Sequence, residues 1–376
     1  MFSSDREPEI FPTLTNAATS NIEEHVKNRS AALKAWDTIR RKRREAAVNK
    51  VKRLEEFVAP RSVSTLLHPE ISFHDETKEE SFGKGLVKLF HKTPGDIVCG
   101  KFWELRWAFG CPLDCNYCYL RGTMRGRMKP SFVKTEYVTA ALDEAFGNIK
   151  TPSLFNSGEL SDSLMNPLLM AKVADRFEAQ DKHKLVTLSK FGPTAVGFLL
   201  ETPRKQTICA WSINAPEVAG KWEKAAAHPQ KRIEAATLVY EAGYDTRVRI
   251  DPIFPIKDWK LHYGNLLDMI FDAFQPNRII LGTPRGLWKT IKYAHDSGID
   301  MTWTDYFMED SGWGKKLGFE QRKEIYSWFY EKLGSMGYDL SRVSMCKETI
   351  NIWEAMHRKY APLTCQCYGQ KAFGPG

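Results

Sequence analysis

The chain is poor in cysteine, and that excludes a disulfide-stapled scaffold: eight in 376 residues is far below the density of small secreted domains. Long apolar runs are missing as well. No stretch approaches the roughly 20 apolar residues of a membrane-spanning helix, so no membrane partner is expected. The opening residues, MFSSDREPEIFPTLTNAATS, have neither the basic start nor the apolar core of a secretory signal. The expectation is a soluble, cytoplasmic protein. Internal repeats and low-complexity tracts are also absent, which removes solenoids and fibrous classes. His228 and His262 stand singly and define no site.

What is present suits a large globular domain with an appendage: 43% hydrophobic and 27% charged residues. The formal charge of +8 is compatible with a polyanionic partner such as nucleic acid. Residues 1–60 read as a disordered start followed by a helical, strongly basic extension. Its densest run, Arg40-Arg-Lys-Arg-Arg44, is either a solvated helix face or an arm for phosphates. Pro60 ends it, and 61–95 reads as a patternless linker.

Beyond the linker, strand-like and helix-like stretches alternate. KFWELRWAF (101–109), SLFNS (153–157), KLVTLSK (184–190), TICAWSI (207–213), TRVRIDPIF (246–254) and NRIILGT (277–283) read as strands. Helical text fills the intervals, and Gly243 is placed to stop the helix of PQKRIEAATLVYEAG. Alternation of this kind predicts an α/β fold of parallel strands with covering helices, closed or partly closed into a barrel. The expected boundaries are 96–285 for this barrel and 286–376 for a mainly helical C-terminal α/β extension. Functional groups then belong at the C-terminal ends of the strands.

The one crowded spot is CPLDCNYCYL (111–120), which follows the first strand. Its C-x3-C-x2-C spacing wraps three sulfurs round one small object. Thiolates favour zinc or iron–sulfur chemistry over hard cations. A structural zinc site usually takes two close ligand pairs, and here there is one triplet. A [4Fe–4S] cluster held by Cys111, Cys115 and Cys118 leaves one iron open to a small molecule.

This spacing, with an aromatic before the last cysteine, resembles the signature of radical S-adenosylmethionine enzymes. The resemblance implies a partial (βα)6 TIM-like barrel, a [4Fe–4S] cluster and S-adenosylmethionine as cofactors, and an electron donor such as flavodoxin or ferredoxin. It implies a 5′-deoxyadenosyl radical that takes hydrogen from an unactivated carbon, and it sets Tyr117 beside the adenine. Further stretches resemble spore photoproduct lyase and its relatives, which reverse a thymine–thymine lesion in DNA. CNYCYL, SDSL (161–164), SKF (189–191), WSINAP (211–216), KRIEAATLVYEAGY (231–244) and DPIFP (251–255) fall in that family's order. Carried over by position, the resemblance assigns Ser161, Lys190 and Ser212 to the methionine end of the cofactor, with Asn214 assisting. Glu159 is to accept its ammonium group, and Tyr119 is the relay tyrosine.

One departure stands out. The repair family places a hydrogen-donating cysteine two residues before the serine of the SD pair, and here that position is Glu159 in NSGELSD. A carboxylate O–H is too strong to give up a hydrogen atom. Without the thiol, a substrate radical can rearrange and recover its hydrogen from 5′-deoxyadenosine or a tyrosine. Bacteriophage-encoded relatives resemble isomerases that act on thymine carrying an amino acid on its 5-methyl carbon. The leading expectation is thus rearrangement of a modified thymine in DNA, in the host cytoplasm if phage-encoded. The alternatives are lesion repair with a donor relocated to Cys99 or Cys209, and a zinc-stabilised nucleic-acid-binding protein.

Other residues carry weaker expectations. Arg247 and Arg249 share one side of their strand and could meet a phosphate or carboxylate. Asp251 ends that strand. Cys346, Cys365 and Cys367 are a candidate second metal site or ordinary thiols. The aromatics Trp303, Tyr306, Phe307, Trp313, Trp328, Phe329 and Tyr330 are core or a base-stacking set.

Overall fold

Strands in the middle of a parallel sheet are buried on both faces, so they read as near-continuous apolar runs. Such runs recur here as LFN, KLVTLS, TICAWS and RIIL. The computed structural model describes residues 81–90, 93–100 and 102–358, and in it these runs build one nine-stranded sheet. The strands are β1 (Ser81–Phe82), β2 (Val87–Phe90), β3 (Phe102–Leu105), β4 (Leu154–Asn156), β5 (Lys184–Ser189), β6 (Thr207–Ser212), β7 (Asp245–Ile250), β8 (Arg278–Leu281) and β9 (Val343–Met345). Spatial order follows chain order. The first three pair antiparallel. Every neighbouring pair from β3 to β9 is parallel.

Parallel neighbours demand crossover connections, and helices supply them. These are α1 (Leu120–Thr123), α2 (Thr135–Asn148), α3 (Pro167–Glu178), α4 (Gly197–Glu201), α5 (Pro216–Trp222), α6 (Pro229–Glu241), α7 (Trp259–Ala273), α8 (Trp288–Asp296) and α9 (Phe319–Ser335), with α10 (Ile350–Ala355) after the last strand. Helix α3 shows how local sequence sets an element. Asn166 caps it by accepting from the Leu169 N–H at 3.1 Å, and Pro167 occupies its first turn, where a missing N–H costs nothing. Leu169, Met170, Val173, Ala174 and Phe177 recur on one face, and all are buried. Helix α6 ends at Glu241, and Gly243 follows at φ +88°, where only glycine is free of Cβ strain.

The described residues divide into a first unit, up to Lys332 and from Asp339 onward, and the short segment Leu333–Tyr338. The sheet and the site belong to the first. All six expected strands are present, so the α/β reading with a mostly parallel sheet stands. The first is shorter than expected: it stops at Leu105, and Ala108–Phe109 pairs separately with Ser131–Phe132. Residues 81–90, read as linker, form a β1–β2 hairpin on the sheet edge. A seventh parallel strand, β9, comes from the C-terminal extension. Its three residues are all buried but too few to show a period. No helix among the described residues is long and apolar enough to cross a membrane. The basic segment up to residue 60, Cys365 and Cys367 lie outside the described residues.

Candidate active site

All seven parallel strands deliver residues to one cavity of about 510 Å³ at their C-terminal ends. Arg106 follows β3, Glu159 and Ser161 follow β4, Lys190 follows β5, and Ser212 ends β6. Arg249 and Asp251 close β7, Arg285 follows β8, and Lys347 follows β9. The sheet register sets Arg249 directly beside Ser212.

The cysteine loop forms one wall. Gly110 enters it at φ +83°, and a Cβ there would lie 2.7 Å from the Met128 carbonyl oxygen, so only glycine fits. The Cys111 N–H donates to that same carbonyl at 2.9 Å. Arg121, itself buried, donates to the Asp114 carboxylate at 2.7 Å and to the Asp114 carbonyl at 3.2 Å. Cys111, Cys115 and Cys118 all line the cavity. Burial pushes each thiol up to about 12, so they stay protonated unless a strongly cationic group shares the pocket. Among the described residues no three His, Cys, Asp or Glu side chains gather on a single-ion site. Three thiols on the lining of one cavity suit a polynuclear iron–sulfur cluster.

A second wall is built round a carboxylate that carries no sequence signal. Glu223, just past α5, is buried and pairs with Arg232 at 2.5 Å and with Lys190 at 2.9 Å. Burial alone would raise its carboxyl, but the two cations outweigh that and hold it at about 2. Glu223 also accepts from the Tyr117 hydroxyl. Lys190 in turn donates to Ser212 Oγ at 2.8 Å. Lys190 and Ser212, expected at the methionine end of the cofactor, and Tyr117, expected beside its adenine, are thus bonded into one network. Ser161 joins the same cavity with its Oγ buried and without a hydrogen-bond partner. An orphaned hydroxyl of this kind fits a polar ligand.

Glu159 accepts from Asn156 Nδ2 at 2.9 Å and from the Tyr119 hydroxyl at 3.3 Å. Tyr119 also donates to the Glu159 carbonyl and keeps 37% of its surface accessible on the cavity side. Asn214 differs from expectation. It does not line the cavity, because its amide is committed elsewhere: Nδ2 donates to the Pro252 carbonyl at 2.8 Å, and Oδ1 accepts from the Tyr263 hydroxyl at 2.8 Å. Arg247 and Arg249 also part company. Arg247 bonds Asp245 at 2.6 Å, and only Arg249 reaches the cavity, where it bonds Asp251 at 2.6 Å. Arg285 donates to both Asp251 oxygens, at 2.9 and 2.8 Å. These two cations overcome burial and hold the Asp251 carboxyl far below the usual carboxylate range.

Sequence reasoning missed Glu223, Arg285 and Lys347, which stand in no motif. Of the C-terminal aromatics, Trp303 and Trp313 line the cavity, whereas Phe329 and Tyr330 are core. Cys209 is fully buried in β6 and off the cavity, so it cannot meet a substrate there.

Residues 102–279 match the family model described as Spore photoproduct lyase. The chain is 30% identical over 185 residues to the spore photoproduct lyase of Bacillus subtilis, covering 47% of this chain and 53% of that one. It is 25% identical over 183 residues to that of Clostridium acetobutylicum, covering 45% and 52%. The chain therefore spans about half the length of the curated relatives it matches. Spore photoproduct lyase complexed with dinucleoside spore photoproduct superposes with a TM-score of 0.55 at 19% identity, over 65% of this chain and 75% of that one. A variant of that enzyme with bound AdoMet and the same dinucleoside gives 0.56 at 18%, over 70% and 79%. At these identities the structural likeness is one of fold.

A thiol triplet beside an orphaned serine and a half-buried lysine, at the carboxyl rim of a parallel sheet, fits a [4Fe–4S] cluster with S-adenosylmethionine, the cofactors of radical S-adenosylmethionine enzymes. Over residues 102–279 the chain is similar to the spore photoproduct lyases.

Proposed function

We propose that this chain rearranges a modified thymine in DNA, such as one carrying an amino acid on its 5-methyl carbon, by radical chemistry started in this cavity. When bound, the cluster and S-adenosylmethionine supply one-electron cleavage of a sulfonium C–S bond and hence a 5′-deoxyadenosyl radical. Cys111, Cys115 and Cys118 hold the cluster. Lys190, Ser212 and Ser161 hold the cofactor's carboxylate, Glu159 its ammonium, and Tyr117 stands beside its adenine. The seven parallel strands then correspond to the open partial barrel of this class. Flavodoxin or ferredoxin would deliver the electron, and a phage-encoded enzyme would work in the host cytoplasm.

The observation that carries rearrangement over repair is Glu159 on the cavity wall, hydrogen-bonded to Tyr119, at the position where the repair family has its thiol. A carboxylate there cannot donate a hydrogen atom to a product radical, whereas Tyr119 can exchange one. Repair remains the second reading, supported by the family match. Its donor would have to come from a thiol outside the cavity lining, such as the half-buried Cys346, whose sulfur lies 3.1 Å from Nη2 of the lining residue Arg249.

The test is anaerobic reconstitution, followed by incubation with reductant, S-adenosylmethionine and DNA bearing either the spore lesion or an amino-acid-decorated thymine. The expected product has unchanged mass and new connectivity, and restored thymine would support repair instead. Glu159→Gln is expected to weaken S-adenosylmethionine binding about tenfold by equilibrium dialysis, and unchanged affinity removes Glu159 from the cofactor site.

A further inference from the structure

The cavity end away from the Lys190 and Glu223 network carries two cations, Lys347 and Arg285, to which the proposed cofactor assignment gives no role. Lys347 is the least expected of them. It follows β9, beyond the matched residues 102–279, and adopts φ +52°, a strained conformation for a side chain with a Cβ. Its ammonium lies 5.0 Å from the Phe90 ring centroid and 5.1 Å from that of Trp313, and all three residues line the cavity. Its nearest carboxylate, Glu159, is 3.7 Å away, beyond hydrogen-bond range. Arg285 also lines the cavity; its Nη2 bonds both oxygens of the Asp251 carboxylate that it shares with Arg249, and its Nη1 donates to the Cys346 carbonyl at 3.1 Å. An ammonium between two aromatic faces is partly compensated by them, yet it keeps donors for an oxygen acceptor. A planar guanidinium nearby suits a two-oxygen anion.

We propose that Lys347 and Arg285 form an oxyanion subsite that recognises a negatively charged oxygen group of the substrate. The chemistry has two sources in a modified DNA: the carboxylate of an amino acid attached to the base, and a backbone phosphate flanking it. The first of these rests on the rearrangement reading, and the second does not.

The experiment measures equilibrium binding of four probes to the full-length, reconstituted protein. Two are oligonucleotides with one thymine bearing glycine through its amine, as the free carboxylate or as the carboxamide. Two are unmodified thymidine dinucleotides, with a phosphate or a neutral methylphosphonate link. If the carboxylate is the ligand, wild type prefers the carboxylate oligonucleotide about tenfold, and Lys347→Met abolishes the preference while Lys347→Arg restores part of it. If the phosphate is the ligand, both oligonucleotides bind alike, the phosphate dinucleotide outbinds the methylphosphonate, and Lys347→Met removes that difference. Lys347→Met binding all four probes as wild type does would overturn the inference. Arg285→Lys, which keeps the charge beside Asp251, serves as the second variant and is expected to lower the same preference. Product analysis separates the two proposals. Rearranged product from a Lys347→Met enzyme with unaltered binding sinks the subsite and leaves the rearrangement standing. Absence of rearranged product from wild type sinks the rearrangement, and the dinucleotide pair still decides the subsite.

Discussion

At the residue scale the decisive group is Glu223, because one buried carboxylate organises Lys190, Arg232 and Tyr117. Its folded carboxyl titrates at about 2 against an ordinary 4.5. The unfolded chain therefore binds a proton at a higher pH than the folded chain does. The stabilisation is fully present above pH 4.5 and is lost as pH falls through about 2. The difference is worth about 3 kcal/mol. Glu223→Gln leaves the buried Arg232 and the half-buried Lys190 without their anion, an expected loss of roughly 3 kcal/mol at pH 7. Urea unfolding across the acid range checks this: the gap between wild type and variant should close as pH drops toward 2. A gap independent of pH would mean that packing, not charge, makes the residue necessary.

At the element scale the cysteine loop depends on the close approach of two short helices. Gly122 in α1 lies against the start of α8, and a Cβ there would come within 2.7 Å of the Thr290 backbone nitrogen. Gly122→Ala must part the two helices, and α1 runs directly on from Cys118. The expected outcome is reduced iron and sulfide per chain after reconstitution, with a lowered melting temperature. Asn166→Ala is the contrasting case. It removes the cap of α3 at a cost of about 1 kcal/mol, far from the thiols in its hydrogen bonding, and iron content should hold. Equal iron loss in both variants would show that cluster content merely follows global stability.

At the scale of the whole molecule, the formal charge of +8 and the five consecutive cations of Arg40–Arg44 bear on the proposed DNA substrate. Replacing those five residues by glutamine in the full chain should flatten the dependence of DNA affinity on salt. Every phosphate that is no longer neutralised changes the slope of log K against log salt by about 0.9. Cofactor cleavage without DNA should be unaffected. A slope identical to wild type would assign the run to solvent and leave DNA binding to the cavity rim.

The sequence by itself determined whatever depends on neighbours in the chain. The thiol spacing is local, and so is the alternation of apolar strands with amphipathic helices. That made the α/β class and the thiol triplet legible before any tertiary pairing was known, whereas the strand-end serines and lysine were named by resemblance to a family. Tertiary structure alone decided which distant groups meet. Glu223 reaches Lys190, Lys347 reaches Glu159, and Arg285 shares Asp251 with Arg249 across separate crossovers. Asn214 sits two residues from Ser212, yet it turns to Pro252 and Tyr263. Strand β9 was invisible because three buried residues carry no period, and its place was set by pairing with β8. Periodicity and spacing record local geometry, whereas charge pairing across a sheet rim is a property of the folded chain.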